Sequence, residues 1–77
     1  MDNTTKLFWE LRRRTLEEEL SYNLTLKRLL EKASAAGLYD DVDDAHMAAY
    51  VFLTLDDKID SLRIELSDPD DPANATE

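Results

Sequence analysis

Apolar residues in the second half of the chain recur at alternating spacings of four and three residues, the repeat of a helix with one buried seam. The seam consists of Ala48, Phe52, Leu55, Ile59, Leu62 and Leu66. Asp43 or Asp44 can cap the start of this helix, because a carboxylate there complements the helix dipole. The helix ends before Pro69, because the residue before a proline avoids the helical region of backbone conformation. The pattern therefore predicts a helix over residues 45–66.

The first half of the chain predicts a longer helix, over residues 5–36, with more apolar surface than one neighbouring helix can cover. Thr4 or Thr5 can cap its start, and Gly37 lies where a helix ends on a left-handed residue. One broad apolar arc holds Leu7, Phe8, Leu11, Tyr22, Leu26, Leu29, Leu30, Ala33 and Ala36. A second strip beside this arc holds Trp9, Leu16, Leu20 and Leu24.

Two helices joined by a loop over residues 37–44 predict an all-α fold, an antiparallel hairpin with one domain over residues 1–67. The first helix would be about 48 Å long and the second about 33 Å. Leu66 then comes level with residues 14–16, and residues 5–14 extend past the second helix without a partner in the chain. Exposed apolar surface of this kind marks an interaction site. We therefore expect a homodimer in which two hairpins form a four-helix bundle.

Two other interpretations of the pattern stay open. Residues 20–26 alternate apolar and polar side chains and residues 50–55 are rich in strand formers, so the two stretches could pair as strands. Alternatively, the first helix breaks near residues 21–23, where helix propensity is poor, and the chain forms three helices. Neither stretch is bounded by turn residues, and helical spacing continues through both. The two-helix hairpin is therefore favoured.

Composition narrows the class of protein. The 77 residues include 9 Lys and Arg against 18 Asp and Glu, for a net charge of −9, and no cysteine. An acidic surface disfavours direct binding to nucleic acid or to anionic membranes, and no apolar run is long enough to cross a bilayer. We therefore expect a cytoplasmic protein. Residues 68–77 are acidic and rich in small side chains, which predicts a disordered tail.

The chain offers little for catalysis or metal binding. Four aspartates lie within residues 40–44, but this segment lacks the glycine and the distal glutamate of a calcium loop. His46 is the only histidine, and there is no cysteine with which it could form a metal site or a nucleophile pair. The acidic clusters at residues 17–19 and 56–60 lack the E-x-x-E spacing of helical pyrophosphatases. We expect no enzyme activity and no cofactor.

The leading hypothesis is a small non-enzymatic interaction module, a regulator, inhibitor or adaptor that binds itself and an unidentified protein. The residues expected to bind partners are Leu7, Phe8, Trp9, Leu11, Leu16, Leu20 and Leu24. The arginines Arg12, Arg13 and Arg14 would form a basic rim beside them. Alternatively, the chain imitates the phosphates of a nucleic acid and occupies a DNA- or RNA-binding protein. The acidic side chains for that role are Asp40, Asp41, Asp43, Asp44, Asp56, Asp57 and Asp60.

Overall fold

The computed structural model describes residues 2–74, which form an antiparallel hairpin of two long helices. Helix α1 is Asn3–Ala35, helix α2 is Val42–Leu66, and a short 3-10 helix covers Pro72–Asn74. The predicted all-α hairpin is confirmed. No strand occurs within residues 2–74, so the interpretation in which two stretches pair as strands is wrong.

Helix α1 is continuous through residues 21–23, so the three-helix interpretation is wrong. The least helix-favouring residue of this stretch is Asn23, whose side chain competes with the backbone for hydrogen bonds. Here its amide donates to the carbonyl oxygen of Glu19, one turn earlier, at 2.7 Å. Its polar group therefore finds a partner without opening the helix.

Both helices begin earlier than the sequence pattern predicts, because an aspartate further upstream caps each of them. The carboxylate of Asp2 accepts a hydrogen bond from the N–H of Thr5 at 2.7 Å. The carboxylate of Asp41 accepts one from the N–H of Asp43, also at 2.7 Å. The residues predicted as caps lie inside the first turns instead. The predicted helix starts at residues 5 and 45 are therefore too late, and the loop is shorter than residues 37–44.

The hairpin turn confirms the role predicted for Gly37. Its φ is 74°, in the left-handed region that glycine adopts without a steric penalty. Two backbone hydrogen bonds close the end of α1: the N–H of Gly37 donates to Ser34 and that of Leu38 donates to Ala33, each at 3.0 Å. This pairing of carbonyls with N–H groups beyond the helix is the Schellman arrangement. It stops α1 and lets α2 return along it.

The apolar seam of α2 faces α1, as predicted. Its buried members are Ala48, Leu55, Ile59 and Leu62, and its half-buried members are Phe52 and Leu66. On α1 the side turned toward α2 contains buried Leu16 and half-buried Trp9, Leu20, Leu30 and Ala33. Helix α1 therefore packs on α2 through most of the second strip together with Leu30 and Ala33 of the broad arc, and the large side chains of the rest of the arc face outward. Leu16 is buried in this contact and Leu20 is half-buried at its edge, so both contribute to the hairpin, and their predicted role in partner binding stays a prediction.

Ion pairs on both edges of the helix contact help to fix which side of α1 meets α2. The ammonium of Lys27 lies 2.6 Å from the carboxylate of Asp56. On the other edge, the ammonium of Lys58 lies 3.8 Å from the carboxylate of Glu19. Because each pair joins α1 to α2, both form only when the Leu16 side of α1 faces α2. The two pairs are therefore compatible with this packing, although exposed ion pairs of this kind each contribute only about 0–1 kcal/mol.

Residues 68–74 fold back against α1, so the prediction of disorder is wrong for this stretch. Asp71 is only 2% exposed, and both of its carboxylate oxygens accept hydrogen bonds from the guanidinium of Arg13. The side-chain amide of Asn74 donates to the carbonyl oxygen of Leu66, the last residue of α2, at 2.6 Å. An acidic composition signals disorder only while its charges lack partners. The rest of the predicted tail, residues 75–77, lies outside the described residues.

The same segment gives an intrachain partner to part of the predicted overhang. The guanidinium of Arg12 donates to the carbonyl oxygen of Glu65 at 3.4 Å and lies 3.8 Å from the carboxylate of Asp68. Arg13 is held by Asp71. The prediction that residues 5–14 have no partner in the chain is therefore wrong at its inner end.

Candidate partner-binding surface

One side of α1 leaves six large apolar side chains open to solvent, and we name this surface the outer stripe. Each member is between 45% and 70% exposed: Leu7, Phe8, Leu11, Tyr22, Leu26 and Leu29. They share one side of the helix because they follow its three- and four-residue spacing. The outer stripe extends over about 33 Å of the helix axis. A row of exposed apolar side chains of this length is typical of an interaction site.

The predicted partner-binding residues Leu7, Phe8 and Leu11 form the N-terminal half of the outer stripe. The site prediction from the sequence omits the C-terminal half, although the broad apolar arc contains it. The helical periodicity therefore held the signal for the whole stripe.

Trp9 is half-buried beside the outer stripe rather than within it. Its ring contacts that of Phe8 edge-on, with the ring centroids 5.4 Å apart and the planes at 74°. The guanidinium of Arg12 lies over the indole, 5.3 Å from the ring centroid, in a cation–π contact. These contacts order the N-terminal part of α1 and hold Phe8 in place at the edge of the outer stripe.

Leu24 lies on a different side of α1 from the outer stripe. It is 40% exposed and lines an open groove together with Leu20, flanked by the charged side chains of Glu17 and Arg28. A single leucine between charged neighbours offers little apolar contact. Leu24 therefore does not extend the outer stripe.

The three arginines do not form the predicted basic rim. Arg12 and Arg13 are both half-buried and bind the last turn of α2 and the segment that follows it, whereas Arg14 is exposed. Their guanidinium groups tie the two ends of the chain together. Only Arg14 presents its charge to solvent at the edge of the stripe.

Arg13 and Asp71 form an ion pair whose carboxylate is buried, and we name this pair the terminal clamp. Oδ1 of Asp71 accepts from Nη2 of Arg13 at 2.7 Å, and Oδ2 accepts from Nε at 3.2 Å, which makes the pair bidentate. The N–H of Ala73 also donates to Oδ1, at 3.0 Å. The hydrogen bonds from Arg13 and then from Ala73 lower the pKa of Asp71, against the opposing effect of burial. The same hydrogen bond raises the pKa of Arg13.

The acidic side chains are distributed over separate parts of the surface. Four of them, at positions 40, 41, 43 and 44, are exposed around the start of α2, where Asp41 acts as the helix cap. Further along α2, Asp56 binds Lys27, while Asp57 and Asp60 are exposed. Within residues 2–74 no three acidic or histidine side chains come together in a way that could hold a metal ion.

A second group of exposed apolar side chains lies at the hairpin turn. Its members are Leu38, Val42, Met47 and Tyr50. They point in several directions and are interspersed with Asp43 and the exposed His46. Met47, Tyr50 and the exposed Leu53 follow helical spacing, but Asp43, His46 and Asp57 interrupt this side of α2, so the outer stripe is the stronger candidate.

Comparison with protein-family models, with curated proteins and with solved structures finds no match to this chain. Neither helix of the described part of the chain combines the length and apolar composition that a membrane crossing needs.

Proposed function

We propose that this chain is a non-enzymatic protein–protein interaction module, a regulator, inhibitor or adaptor that binds through the outer stripe. The observation that carries the proposal is the exposure of six large apolar side chains along one side of a helix whose other side already forms the hairpin core. Burial of apolar surface is the main driving force of protein association. Helix-in-groove recognition uses anchors at this spacing.

The titratable groups with displaced pKa values lie at a helix cap and in ion pairs. Catalytic groups in enzymes commonly have displaced pKa values and lie in clefts. Here the pKa is displaced at Asp2, which caps α1, and at the ion-paired side chains of Arg13, Lys27 and Asp71. Each displacement has a structural cause, and none lies in the outer stripe.

A photo-crosslinking amino acid placed in the stripe tests the proposal in the native host. Leu26 would be replaced by p-benzoylphenylalanine, and the matched control is the same replacement of Arg28, which is exposed at nearly the same level of α1 on another side. The proposal predicts abundant protein adducts from position 26 and few from position 28. Equal adduct formation at the two positions, or none at position 26, would contradict it.

A second candidate function is imitation of nucleic-acid phosphates, because the net charge is −9 and Asp57 and Asp60 are exposed along α2. Phosphate mimicry depends on charge and weakens steeply as salt rises. The same photo-crosslinker at Asp57 distinguishes the two functions. Adducts at position 57 that disappear in high salt favour mimicry, whereas adducts at position 26 that persist in high salt favour apolar binding.

A further inference from the structure

We propose that the outer stripe binds the outer stripe of a second copy of this chain, with the two α1 helices antiparallel about a two-fold axis. The proposal rests on the function proposed above and names its partner. The first support is the order of positions along the stripe. Four of the six members pair symmetrically, because the spacing from Phe8 to Leu11 equals that from Leu26 to Leu29. Tyr22 would face the exposed Thr15, which is not a member of the stripe, and Leu7 has no counterpart within the stripe.

A two-fold antiparallel helix pair requires symmetric spacing, because each residue must meet its counterpart at the same distance from the axis. The axis would pass between positions 18 and 19, so that the numbers of facing residues add to 37. The facing pairs are Phe8 with Leu29, Leu11 with Leu26, and Thr15 with Tyr22, and the symmetry produces each pair twice. Positions 8, 15, 22 and 29 are seven residues apart, which is the heptad period of packed helices.

The place of α2 leaves room for this partner. The outer stripe lies about a third of a turn around α1 from the side that holds Leu16, because successive residues are about 100° apart. In a four-helix bundle a helix likewise contacts two neighbours on separate sides. Pairing two hairpins through α1 also brings both α2 helices to the same side of the α1 pair. The expected four-helix arrangement then follows from the two-fold axis.

The size of the core favours a partner that is present whenever the chain folds. Among the described residues, five apolar side chains are buried, one of them an alanine. A chain of this length is marginally stable with so little burial unless association adds more. The six stripe side chains expose on the order of 600 Å² per chain, at about half of a large side chain's area each. A stable interface buries about 800 Å² per partner, so the stripe supplies most of that requirement.

The centre of the proposed interface carries like charges. Glu18 is exposed beside the axis and would lie near Glu18 and Glu19 of the second copy. Each chain also carries a net charge of −9. Repulsion between exposed charges is screened by salt. The proposed dimer is therefore tighter at high salt than at low salt, opposite to the behaviour of a phosphate mimic.

Engineered cysteines test the pairing, because the natural chain has none. Two full-length variants, Leu11→Cys and Leu26→Cys, are purified separately, one of them labelled with ¹⁵N, then mixed and treated with a short bismaleimide crosslinker. Intact mass distinguishes the three possible products. The proposal predicts that crosslinks between position 11 and position 26 exceed those between identical positions severalfold. Sedimentation of the unmodified chain should show a dimer that tightens as salt is added.

Crosslinks mainly between identical positions would mean parallel helices and would overturn the proposal. A chain that sediments as a monomer at all concentrations, without crosslinks, would overturn it as well. In that case adducts to other proteins from the photo-crosslinker at position 26 would leave the proposed interaction function standing. If position 26 gives no adducts of any kind, including adducts between two copies, both proposals fail.

Discussion

Two leucines five residues apart on α1 have opposite surroundings. Leu16 is 8% exposed against α2, whereas Leu11 is 50% exposed on the outer stripe. Both belong to apolar faces of the same helix, and hydrophobic content alone would let either face pack on α2. The difference lies in the neighbours, because the Leu16 side carries charged residues that match those on α2. Apolar content alone therefore does not say which face of α1 forms the fold and which remains exposed.

The largest effect on the free energy of unfolding is expected from shortening Leu62, inside the hairpin. This side chain is 1% exposed in the seam of α2, so Leu62→Ala removes packing and leaves a cavity. We expect a loss of about 3 kcal/mol in the free energy of unfolding, measured by urea titration and circular dichroism. The matched control is Leu53→Ala on the same helix, where the leucine is 67% exposed. Equal losses in the two variants would mean that the seam is not the core.

The substitutions Leu16→Ala and Leu11→Ala test the difference between the two faces of α1. We expect Leu16→Ala to cost about 2 kcal/mol of unfolding free energy at concentrations where the chain is monomeric. Leu11→Ala should change that quantity by less than about 0.5 kcal/mol, since its site is open to solvent. It should instead weaken binding, as measured by sedimentation. If Leu11→Ala lowered the free energy of unfolding and Leu16→Ala weakened binding instead, the Leu11 side of α1 would be the one that packs on α2.

Much of the fold follows from local patterns in the sequence. The seam of α2 has a regular four- and three-residue spacing, and Gly37 is the only glycine, so the hairpin and its turn could be predicted. The side of α1 that faces α2 could not be predicted, because it depends on contacts between residues far apart in the chain, such as Lys27 with Asp56. Both helices start earlier than predicted because Asp2 and Asp41 cap them upstream of the predicted caps.

A smaller effect on stability is expected from breaking the terminal clamp. Asp71→Asn removes the charge that faces Arg13 and should lower the melting temperature at neutral pH by a few degrees. The matched control is Asp70→Asn, since Asp70 is exposed next to it. Circular dichroism melting of both variants and the natural chain gives the comparison. If both substitutions have the same effect, the clamp does not stabilise the fold.

The clamp also predicts a pH dependence. The pKa of Asp71 is lowered by folding, from an ordinary value of 3.8, chiefly by the hydrogen bond from Arg13. Its contribution to stability is therefore fully present above that ordinary value and is lost as pH falls through the lower pKa of the folded chain. The difference in melting temperature between the natural chain and Asp71→Asn should shrink below pH 3.8. A difference that grows on acidification would contradict this account.

The clamp shows why the C-terminal segment could not be predicted. Asp71 and Arg13 are 58 positions apart, and the sequence near Asp71 resembles an unstructured acidic tail. The outer stripe was partly predictable, because helical periodicity groups its members even though it does not say which side they face. The role of the stripe in binding stays a prediction.

The smallest effect is expected from Glu18→Gln at the centre of the outer stripe. Removing a charge that would face like charges in the second copy should tighten self-association severalfold at low salt and less at high salt. Sedimentation at two salt concentrations measures this change. The matched control, Glu17→Gln, removes a charge from another side of α1 and should have a weaker effect. Equal effects would indicate general net-charge repulsion rather than a charge at the interface.

The concentration dependence of the melting temperature tests the central claim most directly, because association stabilises the folded chain by mass action. The natural chain and Leu26→Glu would be melted over a wide range of concentrations. We predict that the melting temperature of the natural chain rises with concentration, while Leu26→Glu remains helical with a melting temperature that does not change. A melting temperature of the natural chain that is independent of concentration, or an equal rise in both chains, would contradict the account.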